Sequence, residues 1–290
     1  MSLQKYAALL KTVELGSISL AAEQMGYTQP AVSRMIADLE KQWEVELLRR
    51  SRAGLEPSAV CLQILPLLRT IQADCDTLDF TLSEFRGAQK GLIRVGLFTS
   101  VADMWMPGLL KSFQQQYPNI EFELDNMPNY VAIENSIRHG KVDCGFVCLP
   151  APSDLEAHFL MRDKLVAALP LDHPLAEADI FPVEKLEGAP LIKLREKTDF
   201  EVSRFLGRIP YKPKLSYEVG NDHTLLSMVE AGLGISITHT LIADNPHYKV
   251  VCKPFDVGQH RDIAIATAKG VRLSSITKLF IDHVISRFSS

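Results

Sequence analysis

Five neighbouring residues combine helix-start signals with side chains that can hydrogen-bond to bases. Thr28 is a good helix N-cap, and Pro30 would lie in the first turn, where its missing N–H costs nothing. Gln29, Ser33 and Arg34 would then project from the first turns of the helix. Gln suits adenine and Arg suits guanine, each in a bidentate pair in the major groove. The pattern predicts a helix that reads DNA, and by spacing alone it leaves open a small protein-interaction module.

The segments on either side of this helix agree with a winged helix-turn-helix. Gly16 and Gly26 would end two short helices, and a tight glycine turn before a capped helix is typical of that motif. After the helix, residues 47–55 contain three arginines around a glycine turn. Such a wing would reach the adjacent DNA backbone or minor groove.

A second group of polar residues follows apolar, strand-like runs farther along the chain. In open α/β sheets, ligands bind beyond the carboxyl ends of strands, where helix N-termini attract anions. The candidate ligand contacts on two facing walls are Thr99, Ser100, Tyr130, Val147, Cys148, Thr198, Asp199, Asn221 and His223. Several of them would serve equally well as helix caps. A small organic anion is the default expectation, although Asp199 and Asp222 could instead favour an amine or a hydroxyl.

The sequence gives less support to redox sensing, metal binding, catalysis or plain solute binding. Cys144 and Cys148 would lie about 13 Å apart on one strand, whereas a disulfide needs Cα atoms within about 4.4–6.8 Å, so redox sensing is disfavoured. No metal-ligand spacing appears, and we expect no metal and no cofactor. An enzyme using Cys148 or Ser100 as nucleophile would need a histidine base that the sequence does not place. A plain solute-binding protein is disfavoured by the N-terminal zone and by the lack of a signal peptide.

Between these two groups, residues 59–88 predict one long linker helix. Apolar residues recur there at alternating spacings of three and four, which is the heptad pattern of paired helices. The seam consists of Cys61, Ile64, Leu68, Ile71, Cys75, Leu78, Leu82 and Phe85. It would span roughly 35–40 Å and hold two chains together as a dimer or tetramer. The alternative is an amphipathic helix packed on its own domain.

The remaining chain supplies the elements that would position the ligand contacts. From residue 91 onward, β-rich runs alternate with helical segments, which predicts a mostly parallel α/β architecture. The 290 residues suggest two or three domains. Five cysteines fit a reducing cytosol, no apolar run is long enough for a membrane span, and we expect a cytoplasmic protein. The net charge of −4 speaks against DNA, but residues 1–58 are neutral, with seven basic and seven acidic residues.

The run from Gly16 to Glu40, continued by Leu47–Arg50 and the turn at Gly54, resembles the signature of bacterial LysR-type transcriptional regulators. Further family landmarks lie at Asp172–Ala176, Leu186–Ile192 and Ala231–Ile235. Two residues depart from the family pattern: Leu48 replaces the usual Phe, and Cys61 replaces the usual Gly. Both are packing positions and leave DNA binding unaffected.

The resemblance implies a fold class, α/β with an all-α N-terminal part. It implies a winged helix-turn-helix (1–58), a linker helix (59–88) and a two-lobed, periplasmic-binding-protein-like effector domain (91–290). We place the chain crossings near Met161–Asp163 and Ala266–Ala268, so that one lobe is 91–161 with 268–290 and the other is 162–267.

The resemblance also implies roles for the reading residues. Gln29, Pro30, Ser33 and Arg34 would contact bases, and Thr28, Arg50 and Arg52 would lie near phosphates. The expected partners are double-stranded DNA, a small-molecule effector, a second copy of the chain and RNA polymerase.

Overall fold

A computed structural model describes residues 2–51, 54–85, 90–195, 200–243 and 245–289. Arg52, Thr198 and Asp199, three of the expected contact residues, lie outside these ranges. None of the helices in the described ranges is both long and apolar enough to cross a membrane.

The N-terminal part is a three-helix unit followed by a two-stranded hairpin. Its elements are α1 (Leu3–Leu15), α2 (Ile18–Met25), α3 (Gln29–Trp43), β1 (Leu48–Ser51) and β2 (Gly54–Pro57). Ser17 caps α2 by accepting a hydrogen bond from the Leu20 N–H at 3.3 Å, and Gly26 ends α2 with φ of 68°. Leu9, Val32 and Leu39 are fully buried in the core between the helices. The strands pair in antiparallel fashion as the wing.

The linker helix α4 (Ala59–Phe85) continues directly from the wing. Its first turns pack on the three-helix core through Cys61, Leu65 and Leu68, whereas Phe80 enters the core of the following domain. The two ends of one helix are therefore packed against two different domains.

The C-terminal part is a mixed sheet with helices on its faces. Its strands are β3 (Gly91–Leu97), β4 (Ile120–Asn126), β5 (Cys144–Leu149), β6 (Leu155–Pro170), β7 (Pro190–Leu194), β8 (Lys214–Val219), β9 (Ile235–His239), β10 (Val250–Pro254) and β11 (His260–Ala268). Its helices are α5 (Thr99–Met104), α6 (Met106–Gln114), α7 (Tyr130–Arg138), α8 (Phe200–Arg208), α9 (Asp222–Glu230), α10 (Thr240–Ala243) and α11 (Ser275–Phe288). A short 3₁₀ turn covers Val183–Leu186.

The strand order is β4-β3-β5-β11-β6-β9-β7-β8, and β10 pairs with β6. The outer pairs in each half are parallel, as expected, but β6 and β11 run antiparallel to their neighbours. The expectation of a mostly parallel sheet is therefore wrong at the centre. It failed because only Leu165–Leu169 looked strand-like, whereas β6 is 16 residues long and pairs in both halves of the sheet.

Two halves with separate cores meet along β6. The first core gathers side chains from β3, β5, α6 and α11, and the second gathers those from β7, β9 and α8. One crossing lies within β6, close to the expected Met161–Asp163. The other was expected at Ala266–Ala268, but β11 already pairs with β5 over Asp262–Ala266, and Ile263–Ala266 are buried in the first core. The chain therefore returns to the first half at about Arg261–Asp262, where β11 begins to pair with β5.

Candidate functional site

The N-terminal end of α3 presents polar side chains on an apolar base. Thr28, Gln29, Pro30 and Arg34 are exposed, and Ser33 is half-buried. On the opposite face, Val32, Ile36 and Leu39 are buried in the three-helix core. Thr28 occupies the N-cap position with extended backbone, although its hydroxyl makes no capping hydrogen bond. The apolar face fixes the helix and leaves its first turns free to enter a groove.

The wing lies next to α3 but is only partly described. Glu40 of α3 accepts hydrogen bonds from the backbone N–H groups of Leu47 and Leu48 at 2.8 and 3.2 Å, which ties the hairpin to the helix. Arg50 lies opposite Leu55 in the hairpin register. The structure thus places the backbone of Arg50 in the wing, and contact with phosphate stays a prediction for Arg50 and Arg52.

The expected dimer seam divides into buried and exposed parts. Cys61 is fully buried, Leu68 is only 5% exposed and Ile64 packs partly against the three-helix core, so these three residues pack within their own chain. Ile71, Leu78 and Leu82 are exposed, and Cys75 is half-buried. With Leu67, which is 65% exposed, they form an apolar stripe along one face of α4, called here the linker stripe (Leu67, Ile71, Cys75, Leu78, Leu82).

A cleft opens between the two halves of the C-terminal sheet. It encloses about 710 Å³, counting the part that is open to solvent. Its walls are formed by Phe98, Thr99, Ser100, Met127, Pro128, Asn129, Tyr130, Leu194, Glu201, Gly220, Asn221, Asp222, Thr238, His239, Ile242 and Arg261. Both halves contribute, because Thr99 and Tyr130 follow strands of the first half and Asn221 and His239 belong to the second.

A buried arginine organises the floor of this cleft. Arg261 is 6% exposed, and its Nε and Nη2 donate to Oδ2 of Asp163 at 2.9 and 2.7 Å. Its Nη1 donates to the Tyr130 hydroxyl at 2.6 Å, and its Nη2 donates to the Ser100 hydroxyl at 2.8 Å. The guanidinium carbon lies 4.9 Å from the centre of the Phe98 ring. Burial alone would lower the pKa of Arg261, but Tyr130 and Asp163 raise it above its usual value.

Two further buried polar atoms line the cleft without a hydrogen-bond partner among the described residues. They are Oδ1 of Asp222, at the start of α9, and Nε2 of His239, at the end of β9. Burial raises the pKa of Asp222, although Arg261 counteracts part of this effect. Burial and the nearby Arg261 hold the pKa of His239 well below its usual value, so its ring is neutral.

Of the residues expected in the cleft, Thr99, Ser100, Tyr130 and Asn221 line it, although the Asn221 side chain also caps α9. Val147 and Cys148 lie on β5 outside the lining set, and the Cys148 thiol interacts with the Tyr130 side chain.

His223 also lies outside the lining set, and its Nδ1 pairs with the Tyr248 hydroxyl at 2.8 Å. Thr198 and Asp199 fall outside the described residues.

The cysteines of β5 have no feature of a reactive site. Cys144 and Cys148 lie in an intact strand that pairs with β11. Burial raises the pKa of the Cys144 thiol and raises that of Cys148 to about 12, so both stay protonated near neutral pH. No three His, Cys, Asp or Glu side chains within the described ranges gather closely enough to hold a metal ion.

Sequence reasoning missed the residues at the centre of the cleft. Arg261 and Asp163 are 98 positions apart and were not among the candidates. One signal was present, because Arg261 lies two residues before the apolar run Ile263–Ala266 of β11, where a buried charge needs a partner. Thr238 also lines the cleft.

Two family models match this chain and together cover nearly all of it. One describes a bacterial regulatory helix-turn-helix protein of the lysR family and matches residues 3–61. The other describes a LysR substrate binding domain and matches residues 86–289.

Individual proteins show the same similarity. The probable HTH-type transcriptional regulator LrrA of Synechococcus elongatus is 32% identical over 249 residues, which cover 84% of this chain and 82% of LrrA. A full-length OxyR variant from Pseudomonas aeruginosa superposes with a TM-score of 0.78 at 19% identity, covering 98% of this chain and 94% of that one. The regulatory domain of Synechocystis CcmR, solved in complex with 2-PG, superposes with a TM-score of 0.63 at 24% identity; 69% of this chain covers 99% of it.

Proposed function

Because this chain belongs to the LysR family of transcriptional regulators, we propose that it binds an interrupted DNA palindrome as a homo-oligomer, under the control of a small molecule in the cleft. The family assignment makes it a DNA-binding regulator with an effector-binding domain, and its relatives are regulators rather than enzymes. The operator, the oligomer and the effector are the proposed parts.

The reading contacts follow from the exposed end of α3. Gln29, Pro30, Ser33 and Arg34 would contact base edges once the helix enters the major groove, and Thr28 would lie near a phosphate. Arg50 and Arg52 would reach the adjacent backbone from the wing. The exposure of the first turns of α3 above a buried apolar face supports this assignment. This is the observation on which the proposal chiefly rests.

Pairing of two chains would occur along the linker stripe. Its five residues lie along one face of α4 at spacings of four, four, three and four, which is the pattern that helix pairing buries. A two-fold dimer presents two reading helices, and an inverted repeat with a spacer matches that symmetry. Further association to a tetramer would bring more half-sites together.

A route from the cleft to the linker is provided by α7. This helix begins at Tyr130, which contacts Arg261, and ends at Arg138, whose carbonyl oxygen accepts a hydrogen bond from Arg69 of α4. We expect a ligand that favours one arrangement of the two lobes to shift α7 against the linker, and so change the spacing of the reading helices. The lobes divide at about 162 and 260, given the position of β11.

The proposed cellular location follows from the proposed activity. A bacterial regulator that binds promoters works in the cytoplasm, next to RNA polymerase, and contact with the polymerase would let it activate as well as repress.

A gel-shift assay with the intergenic DNA that flanks its own gene tests the proposal. We expect retarded complexes that weaken as salt rises and that persist against unrelated competitor DNA. Arg34→Ala should lose the preference for the flanking DNA, whereas Arg287→Ala, an exposed arginine near the C-terminus, should keep it. Complete absence of binding to the flanking promoters would contradict the proposal.

A further inference from the structure

If the cleft is the effector site, as proposed above, its walls decide which class of molecule it takes. The usual anchor for an anion is a cation with free donors, and Arg261 is the one lysine or arginine among the described lining residues. Four of its five N–H groups are already used, two on Asp163, one on Tyr130 and one on Ser100. Because the Asp163 side chain has no exposed surface, this ion pair is closed off from solvent. Arg261 therefore offers a ligand at most one free N–H group, and Asp163 already neutralises its positive charge.

The polar lining atoms that lack hydrogen-bond partners among the described residues favour a ligand with donor groups over an anion. The buried Oδ1 of Asp222 accepts nothing from the described residues, and a carboxylate oxygen is satisfied by a donor or a cation. The Nε2 of His239 likewise finds no hydrogen-bond partner in the described part of the chain, and its side chain is only 4% exposed. A neutral imidazole nitrogen donates or accepts according to its tautomer, and a hydroxyl group can match either.

The charge of the walls agrees with the hydrogen-bond pattern. Once Arg261 is balanced by Asp163, the two other charged side chains in the described lining are Glu201 and Asp222, which are both acidic. A dianion entering this cleft would be repelled by Asp222 and Glu201 at low dielectric.

We propose that the cleft takes a neutral or singly positive small molecule bearing hydroxyl or amino groups, and that it disfavours dicarboxylates and phosphate esters. An amino or hydroxyl group of the ligand donates to Oδ1 of Asp222, and a second hydroxyl pairs with Nε2 of His239. Thr238 and Ser100 supply further hydroxyl contacts in the same cleft. The apolar faces of Phe98, Met127 and Ile242 cover the carbon skeleton.

Four three-carbon probes separate charge from size: glycerol, serinol (2-amino-1,3-propanediol), glycerate and malonate. Binding to the full chain is measured by saturation-transfer NMR and by titration of chemical shifts. We expect serinol to bind most tightly and malonate not to bind. Asp222→Asn keeps the shape of the side chain and should weaken serinol roughly tenfold. Asp179→Asn, an exposed residue outside the lining set, should leave all four affinities unchanged.

A second variant tests the proposal at a residue other than Asp222, away from the start of α9. His239→Gln should weaken glycerol and serinol alike, because both offer a hydroxyl. Tighter binding of malonate than of serinol, equal serinol affinity in Asp222→Asn and the unaltered chain, or no binding by any probe would each overturn the proposal. The same preparations are assayed for retardation of the flanking DNA. DNA binding with preference for malonate would refute only the ligand class, whereas loss of DNA binding would refute the regulatory function itself.

Discussion

The DNA-reading end of α3 and the effector cleft differ in how far apart their residues lie along the chain. The expected base contacts fall between Gln29 and Arg34, within two helical turns. In the cleft, Arg261 joins Asp163 across 98 positions, Tyr130 across 131 and Ser100 across 161. The first site is therefore a property of one helix, and the second exists only when both lobes are folded.

The two sites also differ in burial, which separates their roles in binding and stability. The reading side chains are mostly exposed, so their replacement should affect DNA and not folding. Arg261 and Asp163 are buried, so their replacement should affect folding before it affects ligand. Each of the following changes tests this difference, in order of expected effect.

Removal of the buried carboxylate should have the largest effect. Asp163→Ala leaves Arg261 as an uncompensated buried charge, and it should lower the free energy of unfolding by about 3–5 kcal/mol. Asp262→Ala, which breaks a solvent-exposed pair with Arg162, should cost at most about 1 kcal/mol. Guanidinium denaturation followed by circular dichroism measures both. Equal, small losses would show that the cleft does not depend on the buried pair.

Disruption of the linker stripe should have the next largest effect. The linker stripe belongs neither to the DNA-reading end of α3 nor to the cleft. Leu78→Lys places a charge on the stripe, where each leucine that pairing would bury contributes about 1.5–3 kcal/mol, so the proposed dimer should dissociate. Leu62→Lys alters an exposed leucine on the opposite face of α4 and should leave the dimer intact. Light scattering at matched concentrations reports the mass. A Leu78→Lys variant that stays dimeric would remove the linker stripe from the account.

Loss of a base contact should change DNA binding alone. Arg34→Ala should cost about 1–3 kcal/mol of binding to the preferred sequence. Its free energy of unfolding should match that of the unaltered chain, because Arg34 is exposed. Fluorescence anisotropy with preferred and scrambled DNA separates the outcomes. An equal loss on both sequences would make Arg34 a phosphate contact.

Acidification should lower the free energy of unfolding, because His239 lies buried in the cleft. The folded state keeps this ring neutral, because burial and Arg261 lower its pKa, while the unfolded chain takes up a proton below about pH 6.5. Stability is therefore lost as pH falls, by about 1.4 kcal/mol at pH 5.5 for this residue. His239→Gln should remove that component, and His260→Gln, at an exposed site, should not. Identical pH profiles for the two variants would refute the assignment.

The contrast between the two sites explains what the sequence could predict. Helix caps, glycine turns and apolar periodicity act over a few residues, so the helix-turn-helix and α4 follow from local pattern. The last residues of β6 form a run of apolar residues that is recognisable from the sequence. The first ten positions of β6 alternate irregularly, so the sequence does not predict them as a strand. The pairing of Arg261 with Asp163 depends on where β11 lies beside β6, which no short segment specifies.

The three seam residues that pack on the three-helix core, Cys61, Ile64 and Leu68, also show the limit of local pattern. Leu68 fits the heptad spacing as well as Leu78 does, yet the three-helix core covers Leu68 and leaves Leu78 exposed. Spacing identifies a helix face, and only the tertiary fold shows what covers it.

Hydroxyl-radical footprinting of the full chain on the intergenic DNA beside its own gene tests the central claim most directly. Paired reading helices predict two protected half-sites related by a dyad, centred about one helical turn or a multiple of it apart. Arg34→Ala should erase both half-sites together, and Asp222→Asn in the cleft should preserve both. A single protected half-site, or protection that survives Arg34→Ala unchanged, would contradict the account.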